Sequence, residues 1–315
     1  MPLIIAFAGL SATSMPASAA DSADLVIKLP GATSAEGIAL GSGSTFYAGD
    51  EFGGDIFRGD LTTGVAEKFI DVPGGITDNP PGGRMAVGMK VDLDHSLLFV
   101  AGGVDGTARV YDTTSGAEVA DLQLADPAGG PVGVNDVALT DKGAWFTDSY
   151  RSTLYFVPVS ATGAIGSPQT LQLTGPAAQL TGQFNNNGIV AGPKGEWLIV
   201  GHTENGVLNK VDPTTGASST IAGVSATAQD GFDGLLLDGL KLYAVEAWAN
   251  QILEVDLSGD LSSGTMVSHI RSSEFETPTT MAQYGGRLAV VNSHLNLGFP
   301  PPPGTSFEVL MVPTN

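Results

Sequence analysis

With 315 residues, 43 Gly, 19 Pro and only 15% charged residues, the chain can bury a large core and reads as many short strands joined by tight turns. A net charge of −20, with 13 Lys and Arg against 33 Asp and Glu, excludes a nucleic-acid partner, because phosphate is held by cations. Having no Cys, the chain has no disulfide scaffold, thiol chemistry or Cys-ligated zinc.

The first element is apolar, Leu3 to Leu10, and is followed by small residues that include Ala17-Ser18-Ala19. This pattern predicts a secretory signal peptide over residues 1–20, although no Lys or Arg precedes the apolar stretch. The remainder, 21–315, is then expected to be one secreted, extracellular domain. No other apolar run is long enough to span a bilayer, so no membrane partner is expected. Leu25-Val26-Ile27-Lys28-Leu29 reads as a strand that precedes a repeat and is expected to join its last unit, closing an open edge.

The repeat itself begins at Glu36. Six openings share one outline: Glu36-Gly37-Ile38, Val87-Gly88-Met89, Asn135-Asp136-Val137, Asn187-Gly188-Ile189, Asp233-Gly234-Leu235 and Thr279-Thr280-Met281. They are spaced 51, 48, 52, 46 and 46 residues apart. Each is followed by a second apolar strand, such as Leu97-Leu98-Phe99-Val100 or Trp197-Leu198-Ile199-Val200. Third strands end in Asp at Asp112, Asp212 and Asp256, two of them followed by the turns Asp112-Thr113-Thr114-Ser115-Gly116 and Asp212-Pro213-Thr214-Thr215-Gly216. About four strands per period and six periods predict an all-β protein. The expected fold is a six-bladed β-propeller, with four-stranded antiparallel blades around a central channel.

Innermost strands of a propeller run in one direction, so equivalent first residues form a ring at one channel mouth. Here that ring is Glu36, Val87, Asn135, Asn187, Asp233 and Thr279. Five of these carry oxygen groups, and two are carboxylates facing each other in a narrow space, where a cation relieves the conflict. Oxygen donors without Cys or His suit a hard ion, Ca2+ first and Mg2+ or Mn2+ next. The second strand returns to the same face, so Asp50, Glu51, Asp148, His202, Glu246, Asn292 and His294 are expected to rim the mouth. Asn135, Asp148, His202 and Glu246 are the expected contacts to a small-molecule substrate. Two long loops lie on this face, Ile76 to Arg84 and Leu297 to Ser306.

Glu36-Gly37, Asn135-Asp136 before Trp145-Phe146-Thr147-Asp148, Asn187-Gly188 before Pro193-Lys194-Gly195, and Asp233-Gly234 together resemble one known family. It is the senescence marker protein/gluconolactonase/luciferin-regenerating enzyme family of six-bladed propellers. The resemblance implies that Glu36, Asn187 and Asp233 bind one divalent metal, with Asn135 beside it. It further implies hydrolysis of lactones or related esters, the metal polarising the carbonyl and Asp233 serving as catalytic base. Sugar-lactone hydrolases of the family tend to carry Arg two residues before the Asn of the third repeat. This chain has Gly133 there, which favours a less polar substrate. Two alternatives stay open: a non-catalytic calcium-stabilised propeller that binds a ligand or protein, and a strictosidine-synthase-like enzyme. The Glu36, Asn187 and Asp233 set argues against the latter, which works without a metal. In a paraoxonase-like variant, His202 would act as base.

Overall fold

Runs such as Leu97-Leu98-Phe99-Val100 are apolar at every position, as a strand must be when both of its faces are covered. A computed structural model describes residues 25–78, 82–182, 184–226 and 231–314 and shows what covers them. The signal-peptide expectation for residues 1–20 lies outside the described residues.

Strand β1 (Leu25–Leu29) comes first. Blade 1 is β2 (Ile38–Leu40), β3 (Thr45–Gly49), β4 (Ile56–Asp60) and β5 (Val65–Ile70). Blade 2 is β6 (Met89–Asp92), β7 (Leu97–Ala101), β8 (Thr107–Asp112) and β9 (Glu118–Gln123). Blade 3 is β10 (Val134–Thr140), β11 (Gly143–Asp148), β12 (Thr153–Pro158) and β13 (Gln169–Gln172). Blade 4 is β14 (Asn186–Ala191), β15 (Leu198–His202), β16 (Val207–Val211) and β17 (Ser218–Ser225). Blade 5 is β18 (Leu235–Asp238), β19 (Lys241–Glu246), β20 (Gln251–Leu257) and β21 (Gly264–Ile270). Blade 6 is β22 (Pro278–Tyr284), β23 (Arg287–Asn292) and β24 (Phe307–Pro313), completed on its outer edge by β1.

Every pairing within a blade is antiparallel. The innermost strands touch in the cyclic order β2, β6, β10, β14, β18, β22 and back to β2. The protein is therefore the predicted six-bladed propeller. Its ring is closed by β1, which pairs with β24 from Leu25 opposite Met311 to Leu29 opposite Phe307. Lys28 Nζ reinforces the closure at 2.8 Å from Glu308 Oε2.

The core is divided into wedges, one between each pair of neighbouring blades. Phe99 and Val110 of blade 2 meet Val137 and Phe146 of blade 3, while Leu98 and Val100 on the opposite face meet Tyr47 and Ile56 of blade 1. Side chains alternate along a strand, so a central strand feeds two wedges and must be apolar throughout. Outermost strands lack the second neighbour. β5 and β9 accordingly bury few residues. Among the described residues, no helix is long and apolar enough to cross a membrane.

Candidate functional site at one mouth of the channel

At or just before the start of each innermost strand stands a dipeptide whose two residues have different tasks. Glu36, Asn135, Asn187 and Asp233 supply the polar groups of the mouth, while the second residue of each dipeptide lies against the next blade. A Cβ on Gly37 would stand 2.1 Å from Val87 O, and one on Gly188 would stand 2.2 Å from Asp233 O. Only glycine lets the blades approach this closely. Blade 6 departs from the rule with Thr280 and blade 3 with Asp136, whose carboxylate accepts the amides of Val137 at 2.8 Å and Ile189 at 3.2 Å. Register shifts at Val134/Val137, Asn186/Ile189 and Pro278/Met281 mark bulges at the same level in blades 3, 4 and 6. Such bulges re-aim side chains at the end of a strand, here beside the axis.

The ring residues predicted from the repeat divide by what their polar atoms do. Thr279 spends its hydroxyl on the Glu36 carbonyl at 2.9 Å, joining the last blade to the first. Val87 contributes no donor. Asn135 Nδ2 donates to Ser149 Oγ at 3.1 Å and Asn187 Nδ2 to Thr203 Oγ1 at 3.2 Å, which fixes both amides by their nitrogens. Their oxygens, Asn135 Oδ1 and Asn187 Oδ1, have no hydrogen-bond partner among the described residues, and neither do Glu36 Oε2 and Glu51 Oε2. Burying such atoms unpaired costs about 1–3 kcal/mol each, and more for charged groups.

Charge makes the same point. Burial, together with Asp136, pushes Asp233 up to about 8, against hydrogen bonds from the Asn187 amide and the Gly234 N–H. Burial, then Asp233 and Asp50, push Glu51 up to about 8. Glu36 is raised well above the carboxylate range by burial and by Asp233, Glu51 and Asp136, with Lys90 opposing. Among the described residues, Lys90 places a cation on the channel wall. It pairs opposite Phe99 as Ala39, Ala138, Val190, Leu236 and Ala282 pair opposite their own second strands, and those five are all apolar. Blade 2, which supplies no oxygen to the ring, thus supplies the positive charge nearby. Sequence reasoning missed Lys90 and gave Asp136 no role in the site beyond marking the resemblance. Each was visible only as an exception at its repeat position.

The expected rim divides as well. Asp148, His202 and Glu246 end their second strands and are buried, with their polar atoms committed to nearby chain. Asp148 accepts from the Gly133 and Tyr150 amides and from the Tyr155 hydroxyl. His202 bonds Gln179 O through Nε2 and accepts the Asn205 amide at Nδ1. Burial pushes its imidazole down toward the neutral form. Glu246 is held by Gln251 and lies 3.4 Å from His269. Asp50 is bound by Thr33, Ser34 and Gly53, and Asn292 by Glu276, Glu274 and Glu308. His294 pairs with Glu308 at 2.8 Å. The residues that reach the ring come one position later: Glu51, Ser149 and Thr203.

The donor set tests well against a hard cation: carboxylates on Glu36, Glu51 and Asp233, amide oxygens on Asn135 and Asn187, and neither sulfur nor imidazole. Among the described residues no three His, Asp or Glu side chains could by themselves hold a metal, so the amide oxygens are essential to any such site. With both the fold and the mouth defined, the molecule is a six-bladed propeller whose channel opens on a buried, oxygen-rich ring.

No protein-family profile and no curated protein matches the chain. Solved structures do resemble it. The major Malassezia sympodialis allergen Mala s 1 is 14% identical, with TM-score 0.65, over 92% of this chain and 95% of that one. Virginiamycin B lyase from Staphylococcus aureus is 11% identical, with TM-score 0.58, over 92% and 99%. A protein from Lactobacillus plantarum is 17% identical, with TM-score 0.56, over 89% and 85%. At these identities the likeness establishes the propeller fold alone.

Proposed function

We propose that this propeller is a calcium-dependent hydrolase of lactones or related esters, with the cation held by Glu36, Asn187 and Asp233. The observation that carries the reading is the set of buried oxygens without partners, Glu36 Oε2, Glu51 Oε2, Asn135 Oδ1 and Asn187 Oδ1, around carboxylates raised first by burial and then by neighbouring carboxylates. A divalent ion bound there would polarise a carbonyl and stabilise its oxyanion; Mg2+ or Mn2+ could serve the same chemistry. Asp233 is the ring carboxylate that keeps partial exposure, which suits it to take a proton from attacking water. Asn135, fixed through its nitrogen to Ser149, keeps its oxygen free to orient substrate or join the ion. Lys90 limits the negative charge when the mouth is empty.

The test is metal analysis of the purified protein with a panel of lactones and esters, assayed with and without chelator. Asp233→Asn keeps an oxygen and removes the base. It should retain metal and lose at least about 100-fold in kcat, the scale of general-base catalysis. Full activity in Asp233→Asn would refute that role.

A second reading, a calcium-stabilised binding propeller, is favoured by one observation: all four His residues are engaged by groups outside the ring, His95 by Asp92, His202 by Gln179 O, His269 by Glu246 and His294 by Glu308. A calcium-loaded protein that hydrolyses no member of the panel would select it.

A further inference from the structure

Four aromatic side chains adjoin one another at the polar end of the channel. Phe299, in the loop from β23 to β24 of blade 6, meets Phe52 of blade 1 edge-on, with centroids 4.8 Å apart and planes at 87°. It also lies 6.1 Å from Phe184, at the entry to blade 4, which is itself 5.8 Å from Tyr150 of blade 3. Blades 1 and 4 are opposite in a ring of six. A phenyl ring that neighbours side chains from both therefore lies across the axis. Leu295 of the same loop packs against the apolar cluster that contains Phe52.

These residues belong to the oxygen-rich end by chain position: Phe52 follows Glu51, Tyr150 follows Ser149, and Phe184 comes just before the first strand of blade 4. Beside them Glu36, Glu51 and Asn187 are each only 6% exposed. Phe299 itself is 60% exposed, leaving much of its ring free. At Gly133, a Cβ would sit 2.8 Å from Cε2 of Tyr150, so the Tyr150 ring occupies the space a side chain would need.

We infer that Phe299, Phe184 and Tyr150 are the specificity element of the mouth, seating a planar apolar group while the ligand's carbonyl faces the polar ring. This rests on the proposed function and assigns its substrate class as aromatic or hydrophobic lactones and esters rather than polyhydroxylated ones. Aromatic rings gain from edge-on and offset contacts with another ring; a sugar ring dressed in hydroxyls gains little and loses water.

Two lactams that resist hydrolysis, dihydroquinolinone and gluconolactam, separate binding from turnover. Both are titrated calorimetrically into the full protein in calcium buffer. The protein should bind dihydroquinolinone at least about 10-fold more tightly, and Phe299→Ala should lose about 10-fold on that ligand and less than about 2-fold on gluconolactam. Phe299→Trp should restore the preference, and the calcium uptake and melting temperature of Phe299→Ala should match those of the unmodified protein. Equal affinities, a preference for gluconolactam, no binding of either lactam, or a preference that survives Phe299→Ala would each overturn the inference. If the preference holds and depends on Phe299 but no lactone is hydrolysed, the cap stands and the hydrolase reading falls.

Discussion

The Thr279 hydroxyl donates to the Glu36 carbonyl at 2.9 Å, so the last blade is fastened to the first by a ring residue at the same mouth that gathers the carboxylates. Thr279→Val keeps the shape, removes the donor and leaves a buried carbonyl short of a partner. Stability should fall by about 1–2 kcal/mol, read as a lower denaturation midpoint at unchanged m-value. Metal content should be unaffected.

Close approach of the blades gives a second prediction. Gly37→Ala would drive a methyl into Val87 O, a main-chain atom that cannot swing aside, and should cost about 3 kcal/mol. Gly43→Ala, at φ 64 with nothing within 4 Å of the new methyl, should cost only about 1 kcal/mol from backbone strain. Paired thermal melts of the two variants measure the difference.

Cation binding should be visible in stability before any substrate is known. At a calcium concentration 100 times Kd, the metal-free protein should gain about 2.7 kcal/mol. Asp233→Ala should lose most of that gain, because it removes one of the carboxylates that balance a divalent charge. A melting temperature indifferent to calcium would remove the site.

Stability should also fall off at both ends of the pH scale. Asp233 and Glu51 are raised to about 8, so in the metal-free protein they remain protonated while the unfolded chain ionises near pH 4. Their contribution is therefore complete below about pH 4 and is lost as pH climbs through about 8. Saturating calcium should flatten this decline. Glu308 behaves in the opposite way: burial alone would raise it, but His294, Lys28 and Asn292 hold it at about 2. Its contribution is present above about pH 4 and disappears as pH falls toward about 2, loosening the pairing of β1 with β24. Denaturation midpoints of chelated protein across the pH range test both ends.

The number of blades, the closing strand Leu25–Leu29 and the six equivalent openings of the repeat were all legible in the sequence. A repeated period and central strands apolar on both faces leave few other folds, and equivalent positions in a propeller must share one level of the channel. The glycines were legible only as markers; that Gly37 and Gly188 make room for a neighbouring blade's carbonyl required the assembled ring. Tertiary structure alone decided which of two consecutive polar residues after a second strand reaches the axis. Side chains alternate with a period of two, so an offset of one residue sends Asp148 and His202 into hydrogen bonds with surrounding loops and turns Ser149 and Thr203 toward the ring amides. It also decided the position of Phe299, because a loop of blade 6 meets blades 1 and 4 only after the ring has closed and carried them to opposite sides of one axis.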